Sequence, residues 1–132
     1  TVAVGASGLL IVGPSGSGKT SLAWALMALG ARLVADDRTI VSRPDAGPPV
    51  ATAPDALSGL IEARGVGLIR VDTVALIRLR AAVDLGVVET ERLPERHESR
   101  VLDYPLRLFH KVERAYFAPA LLHYLTSETD VP

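Results

Sequence analysis

The most informative stretch of this chain is GPSGSGKT, residues 13–20. It matches the phosphate-binding pattern G-x-x-x-x-G-K-[ST] at every fixed position. The apolar run LLIV at 9–12 precedes it and predicts a buried strand, and the run SLAWALMAL at 21–29 follows it and predicts a helix. A strand, a glycine-rich loop and a helix in this order are typical of a P-loop. The alternative is a Gly/Ser-rich turn that merely joins a strand to a helix.

The spacing of the loop follows from what a phosphate group requires. Glycines at 13, 16 and 18 can adopt positive φ, so the backbone can curl round an anion with its amides pointing inward. The helix that follows adds free N–H groups and the positive end of its dipole. A lysine charge and a hydroxyl that can bind Mg²⁺ complete the motif. The sequence therefore predicts a nucleotide-phosphate site, with ATP or GTP and Mg²⁺, formed by Gly13, Pro14, Ser15, Gly16, Ser17, Gly18, Lys19 and Thr20.

Composition limits the classes of protein to consider. A chain of 132 residues that is 48% hydrophobic predicts one folded domain over residues 1–132. The net charge of −1, without a long basic run, argues against a nucleic-acid or anionic-membrane partner. No apolar stretch approaches the ~20 residues that span a bilayer, and residues 1–5 lack the charged region of a signal peptide. We therefore expect a soluble cytoplasmic protein. The absence of cysteine excludes disulfides, thiolate catalysis and Cys-ligated zinc.

Many short β segments after one helix predict an α/β fold with a mixed sheet, not a regular alternation of strands and helices. The segment 44–54, rich in Pro, Gly and Ala, is expected to be a loop or an edge connection. Residues 108–125 are predicted to form a second long helix, which Pro119 must kink, break or restart. A loose tail is expected at 126–132. The remaining expectations are strands at 2–4, 32–35, 38–42, 74–79 and 82–85, two apolar pieces round a bend at 60–71, and a charged, exposed segment at 91–100.

The acidic pair Asp36-Asp37 follows the predicted strand at 32–35. We expect this strand to neighbour the P-loop strand, and open α/β sheets bind ligands at the carboxyl ends of their strands. One carboxylate there can reach Mg²⁺, directly or through water, and the other can accept a proton from an attacking hydroxyl. The alternative is a solvated turn, because Asp is a favoured turn residue.

Glu62 is a third candidate, because it lies within an otherwise apolar strand. Arg64 follows at a spacing of two, so both side chains should face the same side of the sheet. The bend at 65–67 comes next and would allow a ligand to approach closely. The alternative is a solvent-facing Glu–Arg pair, which the pattern alone favours, since surface ion pairs are frequent.

The histidines and the large side chains of the first helix receive structural interpretations. His97, His110 and His123 do not show the spacing of metal ligands, which form converging sets. We expect them at surface or half-buried positions, with His110 and His123 in the C-terminal helical region. Trp24 and Met27 are three residues apart on the P-loop helix and are expected in the core.

Four segments occur together and in order: GPSGSGKT at 13–20, RLVADDR at 32–38, IEARGVGLIRV at 61–71 and ETERL at 89–93. Their combination closely resembles the catalytic domain of HPr kinase/phosphorylase, which phosphorylates a serine of the phosphocarrier protein HPr and can remove that phosphate. The piece I-E-x-R-G-x-G-[IL]-I looks like the signature motif of the family. The resemblance implies a P-loop-containing mixed β-sheet with flanking helices, in the short single-domain form of alphaproteobacteria. It also implies ATP and Mg²⁺ as cofactors, HPr as partner, and a homo-oligomer, which is a hexamer in the family.

The resemblance implies a role for each matching residue. Residues 13–20 correspond to the ATP-binding loop, in which Lys19 is essential for catalysis and Thr20 binds Mg²⁺. Asp37 corresponds to the aspartate that takes the proton of the acceptor serine and returns one in the reverse direction.

Three further residues match the family pattern. Asp36 corresponds to the acidic neighbour of the catalytic aspartate, and Glu62 to a second Mg²⁺-binding residue. Arg92 corresponds to an arginine that helps to neutralise charge on the transferred phosphate. The implied metal ligands are therefore Thr20, Asp36 and Glu62, and the implied catalytic residues are Lys19, Asp37 and Arg92.

The sequence departs from the family pattern in two places. An active-site histidine that the family carries just upstream of Thr1 has no counterpart, and the segment V-R-P-G-R-N has none clearer than residues 104–107. Two other readings therefore stay open: a small-metabolite P-loop kinase, and a nucleotide-binding regulatory module without catalysis. The strand-rich middle argues against the first, since such kinases carry an Arg-rich lid between later helices. The acidic candidates Asp36, Asp37 and Glu62 argue against the second.

Overall fold

The computed structural model describes residues 1–54 and 59–127. Within these ranges the chain forms ten strands and two helices, which alternate less regularly than in a doubly wound fold. In chain order they are β1 (Val2–Val4), β2 (Ser7–Val12), α1 (Lys19–Ala28), β3 (Arg32–Leu33), β4 (Ile40–Ser42), β5 (Val50–Thr52), β6 (Leu60–Ala63), β7 (Gly67–Arg70), β8 (Leu76–Val88), β9 (His97–Val101), β10 (Tyr104–Lys111) and α2 (Phe117–Thr126).

The larger sheet has eight strands, six of which run in the order β3-β1-β2-β8-β10-β9. β8 pairs in parallel with β2 and with β10, whereas β1 runs antiparallel to both of its neighbours. β5 pairs antiparallel with the first three residues of β8, and β4 pairs with β5. β6 and β7 form a separate antiparallel hairpin. The predicted mixed sheet with flanking helices is confirmed, and the long strand β8 connects its parts.

Several strand ends meet at one edge of this sheet. We expected β3 to neighbour the P-loop strand β2, and this was wrong, because β1 lies between them. The two antiparallel pairings of β1 nevertheless leave β3 running in the same direction as β2. The carboxyl ends of β2, β3, β8 and β10 therefore lie at the same edge, where open α/β sheets bind ligands.

The core lies on both faces of the sheet. On one face, Leu9 of β2 packs in a cluster with Leu26 of α1 and Leu121 of α2. On the other face, Leu79 of β8 packs with Leu106 of β10. Burying one such leucine contributes about 1.5–3 kcal/mol to stability. Because both faces are covered there, β2 is apolar at consecutive positions, which is why the run at 9–12 reads as a buried strand.

The predicted long helix at 108–125 was wrong in its first half. Residues up to Lys111 belong to β10, where Leu108 faces one cluster and Phe109 the other, as the two-residue period of a strand requires. α2 begins at Phe117, so Pro119 lies in its first turn, where a missing N–H costs no helical hydrogen bond. Of the three outcomes expected for this proline, the start of a second helix is correct.

Other segments are more regular than the sequence indicated. The expected loop at 44–54 contains β5, and the exposed segment at 91–100 contains most of β9. The two strand-like pieces at 74–79 and 82–85 belong to one strand, β8. Most of the predicted tail, residues 128–132, lies outside the described residues. Among the described residues, no helix has the length and apolar character needed to cross a membrane.

Candidate active site

The loop after β2 adopts the backbone conformations that its glycines allow. Gly13, Gly16 and Gly18 have φ of 148°, 82° and 103°. Gly18 caps α1, and the first helical hydrogen bond runs from the amide of Leu22 to the carbonyl of Gly18. The amides between these two residues therefore stand outside the helical ladder, as at every helix start. They can bind an anion together with the positive end of the helix dipole, and no acidic side chain in the first turn competes.

The loop is packed against the end of β8. A Cβ atom at Gly13 would lie 2.6 Å from Ser17 Oγ and 3.3 Å from the amide nitrogen of Gly86. Gly86 lies against the loop in turn, because a Cβ there would lie 3.1 Å from Pro14 Cδ. Its own amide donates to Asp84 Oδ1 at 2.8 Å. The last part of β8 therefore lies close against the loop.

Two polar groups of the loop bear on ligand binding. Ser17 Oγ is buried and has no hydrogen-bond partner among residues 1–54 and 59–127. A buried hydroxyl without a partner costs free energy, and this one lies beside Gly13 on the packed side of the loop. The carbonyl oxygen of Ser17 accepts a hydrogen bond from Lys111 Nζ at 3.0 Å. Lys111 ends β10, and thus adds a second lysine beside the loop, which the sequence did not indicate.

The acidic pair occupies a tight turn after β3. Asp37 has a φ of 58°, and its amide donates to Asp36 Oδ1 at 3.1 Å. The amide of Arg38 donates to the carbonyl oxygen of Asp36 at 2.6 Å. Asp is one of the residues that tolerate positive φ, yet holding it there has a cost and calls for a functional reason. The turn leaves both carboxylates exposed.

A cleft of about 810 Å³ brings the predicted site residues together. Its walls come from the P-loop, the turn after β3 and the β6–β7 hairpin, three segments far apart in the sequence. The cleft is lined by Ser15, Gly16, Gly18, Lys19, Thr20, Ser21, Trp24, Asp36, Asp37, Ile61, Glu62, Ala63 and Arg64. The side chains of Thr20, Asp36 and Glu62 offer oxygen ligands, which Mg²⁺ prefers. The donor set of the cleft therefore fits a magnesium nucleotide.

The hairpin wall is constructed differently from the other two. Glu62 and Arg64 both line the cleft, in agreement with their expected common side. Ile61 is buried and belongs to the helix-side cluster, whereas Val66 and Leu68 are 76% and 72% exposed. The hairpin is attached to the sheet at its base, where the amide of Leu33 donates to the carbonyl of Asp72 at 2.9 Å.

Some predicted residues do not line the cleft. Gly13, Pro14 and Ser17 form the back of the loop. Arg92 is exposed in the connection between β8 and β9, and the structure does not bring it into the cleft. Trp24, which we expected in the core, packs partly against the core and also lines the cleft. Its indole edge on the P-loop helix was not predicted as part of the site.

A second cluster of polar side chains lies at the same edge of the sheet. Glu89 follows β8, His97 begins β9 and His110 lies in β10. Glu89 Oε1 lies 2.9 Å from His97 Nε2 and 3.7 Å from His110 Nδ1. The two imidazole rings stack with centroids 4.2 Å apart. The expectation that His110 lies in a helix and that the histidines do not converge was wrong, because strand pairing brings two of them together.

The carboxylate of this cluster is stabilised in its charged form. The backbone amide of Glu91 donates to Glu89 Oε2, and His97 and the amide of Thr90 add further hydrogen bonds. These bonds, the Glu91 amide first, hold the pKa of Glu89 below its usual range.

Comparison with known proteins gives consistent matches. Residues 1–101 match the family described as HPr Serine kinase C-terminal domain. The HPr kinase/phosphorylase of Limosilactobacillus reuteri (strain DSM 20016) is 48% identical over 67 residues, which are 51% of this chain and 21% of that protein. The HPr kinase/phosphorylase of Levilactobacillus brevis (strain ATCC 367) is 47% identical over 83 residues, 61% of this chain and 27% of that protein. The matched stretch thus spans a quarter or so of these relatives.

A solved structure shares the fold. The structure described as the Hpr(Ser) kinase/phosphatase from Coxiella burnetii superposes with a TM-score of 0.71 and 21% sequence identity. The match covers 94% of this chain and 83% of that chain. The mixed sheet with its flanking helices is therefore an architecture already known in experiment.

Proposed function

Since this chain belongs to the family of the HPr serine kinase C-terminal domain, we propose that it is an ATP-dependent protein kinase that phosphorylates a serine of the phosphocarrier protein HPr. The observation that carries the proposal is the cleft in which Lys19, Asp37 and Glu62 meet. The cleft contains a phosphate-binding loop and a carboxylate in a strained turn, and it is open on one side. An open cleft suits an acceptor that is itself a protein.

The proposed reaction needs little covalent assistance from the protein. The hydroxyl oxygen of the acceptor serine attacks the γ-phosphorus, and the bond from that phosphorus to the oxygen bridging it to the β-phosphate breaks. The Asp37 carboxylate accepts the proton of the hydroxyl, chiefly positioning the nucleophile. Lys19 and the amides of the P-loop stabilise the negative charge on the phosphates. Mg²⁺, which Thr20, Asp36 and Glu62 would hold, neutralises part of that charge when bound.

We also propose the reverse direction, because the curated relatives carry phosphorylase in their names. An oxygen of inorganic phosphate would attack the phosphorus of the phosphoserine in HPr. The bond from that phosphorus to the serine oxygen would break, which yields pyrophosphate and unphosphorylated HPr. Asp37 would take up the proton of the attacking hydrogen phosphate and pass a proton to the leaving serine oxygen. Lys111, which contacts the P-loop, contributes positive charge where a second anion would have to bind.

Two parts of the proposal concern residues and contacts outside the cleft. Arg92 neutralises charge on the transferred phosphate, which requires the connection between β8 and β9 to approach the loop when the acceptor docks.

We further propose a cytoplasmic homo-oligomer. The exposed side chain of Tyr116, just before α2, supports a subunit contact on that side of the domain. Light scattering of the purified chain measures the oligomeric state.

The test is a transfer assay with a mass readout. The protein is incubated with HPr, ATP and Mg²⁺, and HPr should gain the mass of one phosphate group. Asp37→Asn should still bind ATP but transfer at least about 100-fold more slowly, since a positioned base contributes about 10²–10⁴-fold. Asp72→Asn, an exposed aspartate outside the cleft, serves as the matched control.

The outcomes separate the alternatives. ATP binding without phosphorylation of HPr would overturn the proposal and favour a regulatory module. Phosphorylation of a small metabolite but not of HPr would favour a metabolite kinase. Unchanged transfer by Asp37→Asn would remove this residue from the role of base. Release of pyrophosphate from phosphorylated HPr and phosphate tests the reverse reaction.

A further inference from the structure

The cluster of Glu89, His97 and His110 is not used by the proposed phosphotransfer. We propose that it is a binding site for a transition-metal ion, with Zn²⁺ as the preferred ion, separate from the magnesium site of the cleft. The side chains come from the adjacent strands β9 and β10 and from the residue that follows their neighbour β8, so the backbone pairing itself holds them together. This proposal does not depend on the proposed function.

The register of the strands places both imidazoles on one face. His97 of β9 pairs with Leu108 of β10, and His110 follows Leu108 by two residues on the same strand. Residues two apart on a strand share a face, and directly paired residues do so as well. The amide of Glu89 donates to the carbonyl of Lys111 at 2.9 Å, which places the carboxylate beside His110.

The distances fit a common ion. One ligand atom from each residue lies within 4.8 Å of the other two. Zn²⁺ binds imidazole nitrogen and carboxylate oxygen at about 2.0–2.2 Å in tetrahedral geometry, which separates neighbouring ligand atoms by about 3.4 Å. The separations of Glu89 Oε1 from the two ring nitrogens, 2.9 and 3.7 Å, lie on either side of this value. The two imidazole rings are stacked with their planes 26° apart, so binding one ion would also require them to turn until both nitrogen lone pairs point at it.

An ordinary hydrogen-bonded pair explains only part of this arrangement. Glu89 and His97 form such a pair, but His110 Nδ1 lies 3.7 Å from the same oxygen, beyond hydrogen-bond length. Stacking on His97 holds the second ring beside the carboxylate, and a cation shared by the carboxylate and both imidazoles would use the His110 nitrogen as a third ligand. The side chains of Glu89, His97 and His110 are 11%, 34% and 20% exposed, so the site is sheltered yet open to solvent on one side.

The chemical types of the three ligand atoms also indicate which ion would bind. Two imidazole nitrogens and one carboxylate oxygen suit Zn²⁺, Co²⁺ or Ni²⁺, whereas Mg²⁺ prefers an all-oxygen environment. Three protein ligands leave the fourth tetrahedral position for water or another small ligand. An excess of Mg²⁺ that fills the cleft should therefore not displace the ion from this cluster.

The experiment titrates the full chain with Zn²⁺ by calorimetry in the presence of excess Mg²⁺. We expect one site per chain. His97→Gln and His110→Gln should each weaken binding by about 100-fold or more, because changing even a residue that only supports a metal ligand costs 10–100-fold. His123→Gln is the matched control, since His123 is exposed on α2 and outside the cluster, and its affinity should be unchanged.

A second measurement uses the unaltered protein, so that the test of zinc binding does not depend on whether the variants fold. The imidazole nitrogen resonances of His97 and His110 should shift on addition of Zn²⁺, and those of His123 should not. No stoichiometric binding, equal weakening by His123→Gln, displacement by Mg²⁺, or shifts confined to His123 would each overturn the proposal.

Discussion

The walls of the cleft differ in how the fold supports them. The P-loop and the Asp36-Asp37 turn continue from β2 and β3 of the eight-stranded sheet, which has a hydrophobic cluster on each face. The Glu62 wall is a two-stranded hairpin, and its far end exposes Val66 and Leu68. A two-stranded hairpin is marginally stable by itself. The wall that would bind phosphate is therefore pre-organised, whereas the hairpin wall depends on buried Ile61 and a few contacts at its base.

The largest effect is expected at the pre-organised wall. Lys19→Ala should lower the rate of phosphate transfer about 10²–10³-fold, the cost of removing one group that stabilises charge in a transition state. The rate of HPr phosphorylation measures it at saturating ATP. Arg32→Ala, which removes an exposed cation outside the cleft, should leave the rate unchanged. A comparable loss of rate in Arg32→Ala would mean that the rate depends on the net positive charge of the protein and not on the position of Lys19 in the loop.

Stability should separate the two walls next. Leu26→Ala, at a fully buried position of α1, should lower the free energy of unfolding by about 2–5 kcal/mol. Leu68→Ala makes the same chemical change on the exposed hairpin and should stay within about 0.5 kcal/mol. Denaturant titration followed by circular dichroism measures both. Equal losses would show that the hairpin is as much a part of the core as α1.

The hairpin should matter more for ion binding than for stability. Glu62→Gln should raise the Mg²⁺ concentration needed for half-maximal transfer about tenfold, which corresponds to about 1.4 kcal/mol. The free energy of unfolding should change little, since Glu62 is exposed. Glu95→Gln, an exposed glutamate outside the cleft, is the control. An unchanged Mg²⁺ requirement would remove Glu62 from the set of metal ligands.

The smallest effect concerns support of the loop from a neighbouring strand. Lys111→Met removes the hydrogen bond to the Ser17 carbonyl while keeping the length of the side chain. We expect ATP affinity to fall by a factor of roughly 2–10, which matches the 0.5–1.5 kcal/mol of a single hydrogen bond. Equilibrium binding of ATP measures it, with Arg100→Met of β9 as the control. A loss as large as that of Lys19→Ala would give Lys111 a direct role at the phosphates.

Much of the pre-organised wall could be predicted from sequence, because its determinants are local. The motif at 13–20 carries its own strand and helix signals, and Gly30 ends α1 with a φ of 105°, as expected of a glycine after a helix. The position of Asp36-Asp37 at the binding edge was predicted, although through a wrong neighbour for β3. Because β1 is antiparallel to both neighbours, β3 still runs in the same direction as β2. Asp36 and Asp37 therefore still follow a strand end at the edge where the P-loop lies.

The features that sequence reasoning missed depend on long-range pairing. Glu89, His97 and His110 are separated by eight and thirteen residues, spacings that match no short metal-binding motif. Only the registers of β8, β9 and β10 bring them together. The mistaken helix at 108–125 has the same origin. A run of mixed apolar residues near Phe109 fits either period until the neighbouring strands are known.

The contact between Gly86 and the ring of Pro14 has a consequence for saturation mutagenesis of this chain. Gly86 is exposed, and a map of tolerated substitutions based on exposure alone would mark it as freely variable. Even the smallest side chain there would press on a rigid ring 3.1 Å away, because Pro14 cannot rotate aside. The variant library should therefore show a depleted position on the surface. Loss of function on substituting Gly86 would then result from displacement of the loop. It would not show that Gly86 contacts the nucleotide.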